Sequence, residues 1–438
     1  MKKKLISTEA VLELPTYEKL RRFVTIPHKI ARKIFLKKLG DISHGFVELR
    51  DGNEIYQLGS PENEGPRVVI DVFDPDFYFS VVFGGSIGAA ESYMDELWCC
   101  SDLTTLIRIM IMNRDLIYSI DDGLSWLTNP IYSLTHNNRR NTRTGSRENI
   151  CAHYDLGNDF YRLFLDSTMT YSCGIFERDD STLREASIAK IDRICRKMKL
   201  SPQDHILEIG TGWGWFAIHA ASNYGCRVTT TTISREQFEL TAKRIKEAGL
   251  SGRITLLFED YRDLGGKFDR VVSIEMIEAV GHHYYMDFFD ACSRLLKDNG
   301  MLILQAITIP DHIFDYHKKR VDFIKRYIFP GSCIPSLKAM HDAVVEKTDL
   351  RLTHLEDITP HYAKTLRMWR ERFLARLDEV KKQGYHDNFV RMWEYYLSYC
   401  EAGFAERYLG NLQLVFTKPG CRQEPFLPSL RRSQCGFW

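Results

Sequence analysis

The stretch His205-Ile206-Leu207-Glu208-Ile209-Gly210-Thr211-Gly212-Trp213-Gly214-Trp215 decides the fold of this 438-residue chain. An apolar run of strand length leads into an acid and three glycines at alternate positions, and a helix-forming segment follows at 216–224. Glycine lets the backbone turn tightly after a strand and lets a ligand lie against bare main chain. The stretch therefore predicts a strand–loop–helix unit that binds a nucleotide-like ligand.

Strand-like and helix-like segments alternate from residue 150 to residue 418. We expect strands at 206–210, 226–232, 253–258, 269–275, 300–308, 352–358 and 408–417. This alternation is typical of a doubly wound, Rossmann-like α/β domain with a parallel sheet. Residues 309–345 are expected to form an insertion in that domain, and residues 419–438 a disordered tail.

The first part of the chain has a different pattern. Short strands are expected at 45–50, 54–58 and 67–73, with Asp51-Gly52-Asn53 as a hairpin turn between the first two. A helix should begin after Asp74-Pro75 and end at Gly84-Gly85, and another is expected at 103–114. Residues 1–118 thus predict a small α+β domain, which the polar, aperiodic residues 119–149 link to the larger domain.

Positive charge is concentrated at the beginning of the chain. Residues 1–40 contain eleven Lys and Arg against three Glu, although the whole chain has a formal net charge of +1. Residues 18–39 have helical spacing, and five apolar residues are expected on one side: Leu20, Phe23, Ile30, Ile34 and Leu39. Such a helix either lies on anionic lipid or has an ordinary solvated basic face.

Cysteine content and hydropathy limit the cellular setting. The eleven cysteines are an odd number without a Cys-x-x-Cys pair, which favours a reduced, cytoplasmic protein without a metal site. No apolar run reaches the roughly 18 residues that a membrane-spanning helix needs. If the protein meets a membrane, we expect peripheral association.

Two ligand classes compete for the glycine loop. A dinucleotide site would need a third glycine at position 215, where Trp215 stands, and an acid after the second strand, where residues 229–232 are all threonine. The spacing of Glu208, Gly210, Gly212 and Gly214 instead resembles the first motif of class I S-adenosylmethionine-dependent methyltransferases.

Further motifs follow in order along the chain. They are Ala152-His-Tyr-Asp-Leu-Gly-Asn-Asp-Phe-Tyr161, Met169-Thr-Tyr-Ser-Cys173, Thr232-Ile-Ser-Arg-Glu-Gln237, Ser273-Ile-Glu-Met-Ile-Glu-Ala-Val-Gly281, Phe329-Pro-Gly331 and His361-Tyr-Ala-Lys-Thr-Leu366. Over residues 150–417 the chain resembles the cyclopropane-fatty-acyl-phospholipid synthase family, which includes the mycolic acid cyclopropane synthases. Residues 20–115 resemble the N-terminal domain of its longer, phospholipid-acting members.

The resemblance implies methyl transfer from S-adenosylmethionine to a cis double bond of an unsaturated phospholipid acyl chain. The resulting carbocation would lose a proton from the added methyl group to bicarbonate and close to a cyclopropane. The implied cofactor-binding residues are Tyr171, Ser172, Ile206, Leu207, Glu208, Ile209, Gly210, Thr211, Gly212, Trp213, Gly214, Thr232, Ile233, Ser234, Gln237, Asp260 and Tyr261.

The resemblance also implies a catalytic group that binds bicarbonate. Its members would be Cys173, Glu278, Tyr362 and the main chain at Ile307. Gln305 stands where members with the bacterial pattern have histidine, and Ala279 stands where many have histidine beside the glutamate. Glutamine can hydrogen-bond an anion but cannot titrate, so we expect bicarbonate to be held by hydrogen bonds alone.

The sequence leaves the role of one cysteine and the choice among several functions open. Cys400 matches a cysteine proposed in the family as a nucleophile, although covalent catalysis is unnecessary for this transfer. The same scaffold could produce a methyl-branched or methylene chain, methylate a small amine, or bind lipid without catalysis. We expect no nucleic-acid partner, and a homodimer is possible.

Overall fold

The computed structural model describes residues 24–121 and 156–424. The first range forms an N-terminal module of helices around a small sheet. Its elements are α1 (Ile26–Leu39), β1 (Phe46–Asp51), β2 (Glu54–Leu58), β3 (Arg67–Val72), α2 (Asp76–Met94), β4 (Trp98–Cys100), α3 (Leu103–Met112) and α4 (Arg114–Asp121). The strand order is β2-β1-β3-β4, with β1 parallel to β3 and antiparallel to β2. The predicted α+β composition and the predicted hairpin are confirmed.

The second range forms a larger α/β domain. Its first half contains α5 (Asn158–Phe164), α6 (Leu183–Met198), β5 (His205–Ile209), α7 (Trp215–Tyr224), β6 (Arg227–Thr231), α8 (Arg235–Glu247), β7 (Ile254–Leu257), β8 (Phe268–Ile274) and α9 (Tyr285–Leu295). Its second half contains β9 (Leu296–Thr308), α10 (Asp311–Lys319), α11 (Leu337–Lys347), β10 (Arg351–Asp357), α12 (Thr359–Leu374), α13 (Leu377–Lys382), α14 (Asp387–Ala405) and β11 (Gly410–Thr417).

Within the described ranges, seven strands form one sheet in the order β10-β11-β9-β8-β5-β6-β7. The seven predicted strand positions all appear. The prediction of a parallel sheet needs one correction, because β11 runs antiparallel to both of its neighbours, β9 and β10. Its first residue, Gly410, pairs with Thr308 at the end of β9, so β11 enters the sheet at the carboxyl ends of the parallel strands.

Local sequence signals explain how α2 begins and bends. Asp74 Oδ1 accepts a hydrogen bond from the Asp76 backbone N–H at 2.9 Å, as its position before the helix predicts. Gly85 interrupts the helical geometry with φ 60° and ψ −142°, so the predicted break lies at the predicted glycine pair. The helix nevertheless resumes at once and continues to Met94.

The buried side of α1 differs from the prediction. Ala31, Phe35 and Leu39 are buried, whereas Ile30 is 56% exposed. The Phe35 ring packs at 5.2 Å from the Phe77 ring, and this contact with α2 fixes which side of α1 faces the core. The predicted apolar positions 20 and 23 lie outside the described residues.

The two units share one hydrophobic core. Buried side chains of α1 to α3 belong to the same apolar cluster as those of α5, α12 and α14. Arg391 on α14 donates to the backbone oxygens of Tyr93 and Trp98, at 2.5 and 2.9 Å. Arg108 on α3 pairs with Glu406 at 2.6 Å. The N-terminal module is therefore packed directly on the larger domain.

The predicted domain limits are only partly visible. Helix α4 continues to Asp121, so the first three residues of the predicted linker are helical, and 122–149 lie outside the described residues. Of the predicted tail, residues 419–424 are described, and the Gly420 N–H donates to the Asp298 carbonyl at 3.1 Å. No helix in the described ranges has both the length and the apolar character needed to cross a bilayer.

Candidate active site

A single cavity of about 540 Å³ connects the glycine loop with the interior of the N-terminal module. One end is formed by Gly212, Thr232 and other residues at the carboxyl ends of β5, β6 and β8, where doubly wound sheets bind ligands. The other end is lined by apolar side chains of the N-terminal module. These include Phe35, Leu39, Phe77, Trp98, Leu103, Leu106, Ile107 and Met110.

The glycines of the loop have different tasks. Gly212 has φ 52°, and a Cβ atom added to it would meet no atom within 4 Å, because the residue faces the cavity. Gly214 has φ 83°, and an added Cβ would lie 2.6 Å from Thr241 Cγ2. Gly212 therefore leaves room for a ligand, whereas Gly214 allows the loop to pack on α8.

Most of the predicted cofactor-binding residues line the cavity. They are Tyr171, Ser172, Glu208, Ile209, Gly210, Gly212, Trp213, Thr232, Ile233, Gln237, Asp260 and Tyr261. The other predicted contacts do not line it. Ile206 and Leu207 are fully buried in separate apolar clusters, because alternate side chains of β5 point to opposite faces of the sheet. Thr211, Gly214 and Ser234 also lie outside the lining, and Ser234 caps α8.

Polar side chains at this end of the cavity are held in place by local hydrogen bonds. Thr232 Oγ1 donates to Gln237 Oε1 at 2.9 Å. Both Asp260 oxygens accept from the Arg262 guanidinium, at 2.8 and 2.6 Å. These contacts fix the side chains before a ligand arrives, which reduces the entropy cost of binding.

Glu208 and Lys190 bring two buried ionisable groups to the same region. Thr230 Oγ1 donates to Glu208 Oε2 at 2.6 Å, and burial raises the pKa of Glu208 to about 8. Lys190 Nζ donates to Ser172 Oγ at 2.7 Å, and burial lowers the pKa of Lys190 to about 8. No motif or spacing pointed to Lys190, which lies on an amphipathic helix, α6.

Glu278 lies on a short 3-10 turn, Ile277–Ala279, and lines the cavity. Its Oε1 accepts from the Ile307 backbone N–H at 2.5 Å, whereas its buried Oε2 has no hydrogen-bond partner among the described residues. Burial, followed by the charge of Glu275, raises the pKa of Glu278 to about 8. The raised pKa favours the protonated form of Glu278, whose Oε2 has no partner among the described residues.

Glu275 is the centre of the hydrogen-bond network, and the sequence prediction missed it. Its Oε1 accepts from the Cys173 backbone N–H at 3.0 Å, from Gln305 Nε2 at 2.7 Å and from Asn411 Nδ2 at 2.7 Å. Its Oε2 accepts from the Tyr362 hydroxyl at 2.6 Å. The segment 273–281 contains both acids, and nothing in its spacing shows which of them collects these donors.

Three of the predicted catalytic residues, Cys173, Gln305 and Tyr362, therefore surround the carboxylate of Glu275. Tyr362 and Gln305 both donate to Glu275, and the Ile307 N–H donates to Glu278. Gln305 is completely buried, and its Oε1 accepts from Gln413 at 3.0 Å. These donors do not fit the expected bicarbonate, because each already has a carboxylate acceptor.

The two predicted cysteines have inert thiols. Cys173 is fully buried, its Sγ donates to the Gly174 carbonyl at 3.2 Å, and burial raises the pKa of its thiol. Cys400 lines the cavity, but burial also raises the pKa of its thiol well above the usual range. Since the thiolate is the nucleophilic form, neither geometry supports covalent catalysis. Cys173 contributes to the site through its backbone N–H, which donates to Glu275.

Comparison with known proteins finds one family over more than half of the chain. The family model described as mycolic acid cyclopropane synthetase matches residues 141–414. The chain is 38% identical over 343 residues to tuberculostearic acid methyltransferase UfaA1 of Mycobacterium tuberculosis, covering 77% of this chain and 80% of that protein. It is 35% identical to cyclopropane-fatty-acyl-phospholipid synthase of Escherichia coli K12, covering 84% of this chain and 93% of that protein.

A solved structure extends the similarity to the fold. The crystal structure of the mycolic acid cyclopropane synthase CmaA1 complexed with SAH and CTAB superposes with a TM-score of 0.58 at 33% identity. It covers 62% of this chain and 98% of that chain. The larger domain therefore has the predicted class I methyltransferase fold.

Proposed function

The chain belongs to the mycolic acid cyclopropane synthetase family and is an S-adenosylmethionine-dependent methyltransferase, and on this basis we propose that it is a cyclopropane synthase of phospholipid acyl chains. The substrate would be a cis double bond in an unsaturated chain. The observation that carries the proposal is the continuous cavity, because it places the glycine loop, two glutamates and a long apolar space within one enclosure.

The polar end of the cavity suits S-adenosylmethionine. Gly212 leaves room against the main chain, and the fixed side chains of Thr232, Gln237 and Asp260 offer polar groups around it. Glu208 can become ionised beside a cationic ligand, because an adjacent positive charge lowers the pKa of a buried carboxyl group. When bound there, S-adenosylmethionine supplies the methyl group.

The apolar end of the cavity suits a hydrocarbon chain. The lining from the N-terminal module is formed by Leu, Ile, Phe, Trp and Met side chains, which exclude water from the space. An alkene is a weak nucleophile, so catalysis depends on positioning and on stabilising the positive charge that develops. Tyr396, Phe404 and other rings around the cavity can stabilise a cation through their faces.

The exposed side of α1 suits a phospholipid surface. Ile26 is 74% exposed and Ile30 56% exposed, and Lys29, Lys33 and Lys37 are also exposed on this helix. Apolar side chains can enter the headgroup region, and the lysines can attract anionic lipid. We propose that α1 brings the molecule to the membrane where its substrate resides.

The decisive experiment uses purified protein, S-adenosylmethionine with a labelled methyl group, and vesicles of a cis-monounsaturated phospholipid. We expect the labelled acyl chain to gain one methylene unit, with ring protons in its proton NMR spectrum. Saturated phospholipid serves as the control and should gain no label. Labelling of soluble amines without labelling of the vesicles would overturn the proposal.

The relative at 38% identity gives a second candidate, because it is named a methyltransferase rather than a synthase. In the same acyl cation a hydride can shift from the methyl-bearing carbon, and loss of a methyl proton then gives a methylene chain. A separate hydride donor would be needed to reduce that chain to a methyl branch. A methyl-branched product gains two hydrogens beyond the methylene unit. Mass and NMR analysis of the same product therefore distinguishes the two candidates.

A further inference from the structure

We propose that the carboxylate of Glu275 is the base that accepts the proton from the added methyl group, so that the enzyme needs no bicarbonate. The inference rests on the proposed function and concerns how that reaction ends. It begins with the surroundings of Glu275, which lines the cavity together with Gly212 and Ile307.

The donors around Glu275 form a cradle for one carboxylate. The Cys173 backbone N–H and the side-chain amides of Asn411 and Gln305 all donate to Glu275 Oε1, at 2.7–3.0 Å. These three groups come from distant segments of the chain. The Tyr362 hydroxyl donates to the other oxygen at 2.6 Å. All four groups donate and none accepts, so the arrangement is complementary to the ionised form of the acid.

Backbone geometry holds Glu275 in this position. Its φ of 49° lies in the left-handed region, which a non-glycine residue adopts at a cost. The Glu275 backbone N–H donates to the Gln305 carbonyl at 2.8 Å, and the side-chain amide of Gln305 donates to the Glu275 carboxylate. Gln305 is in turn held by Gln413, and Gln413 accepts from Lys197 at 2.7 Å. The strained residue is thus fixed from both its main chain and its side chain.

Glu278 complements Glu275 because the two carboxyl groups have different surroundings. Its Oε2 has no partner among the described residues, and burial raises the pKa of its carboxyl group to about 8. The four donors therefore favour negative charge on Glu275 rather than on Glu278. A single fixed charge stabilises a nearby carbocation and leaves one defined acceptor for its proton.

The chemical step is balanced without another reactant. The alkene π electrons form the bond to the methyl carbon, the sulfonium sulfur keeps the electrons of the broken C–S bond, and the second alkene carbon becomes cationic. Glu275 takes a proton from the added methyl group. The electron pair of that C–H bond forms the second C–C bond and closes the ring, and Glu275 is left as a neutral acid that later ionises.

The first test is made on the unaltered protein. Turnover of monounsaturated vesicles is measured in buffer freed of carbon dioxide, and again after bicarbonate is added. We expect the two rates to agree within about twofold, because the base belongs to the chain. If product forms only with added bicarbonate, the inference fails while the proposed function stands. If no cyclopropane product forms in either buffer, the proposed function fails.

The second test removes the carboxylate. Glu275→Gln should lower kcat by about 100-fold or more, the usual contribution of a positioned base, while SAH affinity stays within about threefold. Glu275→Gly should be equally slow in carbon dioxide-free buffer and recover at least tenfold with formate or bicarbonate, which can occupy the vacated cradle. The exposed substitution Glu247→Gln is the matched control.

Two outcomes of the variant experiment would overturn the inference. One is Glu275→Gln turnover within threefold of the unaltered protein. The other is a folded, SAH-binding Glu275→Gly variant that neither anion restores, since the cradle would then not hold a base. Should neither variant fold, the bicarbonate dependence of the unaltered protein decides the question.

Discussion

Glu275 and Glu278 lie three residues apart, yet their carboxyl groups have opposite surroundings. Four donors converge on Glu275, whereas Glu278 has one donor and a free buried oxygen. The difference arises because a carboxylate is stable in a buried site only where donors replace its hydration. The pair therefore consists of one carboxyl group held by four donors and one whose pKa is raised by burial.

Glu278→Gln should change how stability depends on pH. The pKa of Glu278 is about 8 in the folded protein against an ordinary value of 4.5, so the folded state binds the extra proton between these values. The free energy of unfolding must then fall as pH rises through this window. We expect Glu278→Gln to lose less stability than the unaltered protein between about pH 5 and about pH 8.

Urea unfolding at several pH values measures this effect, with Glu247→Gln as the surface control. Parallel pH dependence of Glu278→Gln and the unaltered protein would contradict the assigned protonation state. The comparison depends only on folding, so it is independent of substrate turnover.

At the scale of elements, the loop between β5 and α7 combines binding and packing in five residues. Gly212 faces open space and Gly214 faces the Thr241 side chain on α8. Both have a positive φ, so a side chain at either position is strained by about 1 kcal/mol or more. Only the second substitution also creates a collision inside the protein.

Gly212→Ala and Gly214→Ala should therefore fail in different ways. We expect Gly212→Ala to fold and to lose at least about tenfold in SAH affinity, which corresponds to about 1.4 kcal/mol. Gly214→Ala should lower the free energy of unfolding by about 1–3 kcal/mol through overpacking against Thr241. Calorimetric titration with SAH and thermal unfolding measure the two effects, and Gly252→Ala in an open turn is the control. Equal losses of affinity would contradict the division of tasks.

Helix α1 is amphipathic, but its two sides are not those that the sequence pattern predicted. The Phe35 contact with α2 turns Ile30 towards solvent, beside the exposed lysines. The side chain of Arg32, in contrast, forms an ion pair with Asp51 of β1, at 3.3 Å. The exposed side is consequently more apolar than the sequence pattern predicted, and one basic residue of the helix, Arg32, is paired with an acid of the module.

Charge reversal of Lys29, Lys33 and Lys37 should weaken binding to anionic vesicles. Each surface cation contributes about 1 kcal/mol near such lipid, so the triple substitution to Glu should reduce binding at least tenfold. Vesicle sedimentation at low and high salt measures the loss, which should shrink as salt screens the charges. Reversal of three exposed lysines elsewhere, Lys243, Lys246 and Lys347, is the control. An equal loss in the control would refute a specific role for α1.

At the scale of the whole molecule, the N-terminal module forms part of the cavity rather than a separate attachment. Met110 on α3 is half-buried and lines the cavity together with residues of the glycine loop. A substitution there can shorten the apolar space without touching the methyl-transfer site. The module would then determine the length of acyl chain that fits.

Met110→Trp should select against long acyl chains. We expect its kcat/KM for long monounsaturated chains to fall at least tenfold relative to short ones, about 1.4 kcal/mol, because the larger ring fills the apolar end. SAH affinity should be unchanged, since the glycine loop lies at the other end. A competition assay with mixed-chain vesicles measures the ratio, and a uniform decrease for all lengths would contradict the assignment.

The parts of this molecule differ in how far sequence predicts them. The strands were predictable because apolar runs of strand length alternate with helical patterns. The interruption of α2 was predictable from the glycine pair that contains Gly85. The antiparallel direction of β11 could not be predicted, because the pairing of a strand depends on contacts that form only in the folded sheet. Glu275 was also missed, because its donors come from Cys173, Gln305, Tyr362 and Asn411, which only the fold brings together.

The apolar cluster that contains Phe35 and Val47 also contains Phe160 and Trp393. Neither unit can lose its structure without exposing surface that the other covers, and such exposure carries a large heat capacity. Differential scanning calorimetry should accordingly record one endotherm for the full chain, with calorimetric and van't Hoff enthalpies in agreement. Cooperativity of this kind would make the first hundred residues as important for the lifetime of the enzyme in the cell as the glycine loop.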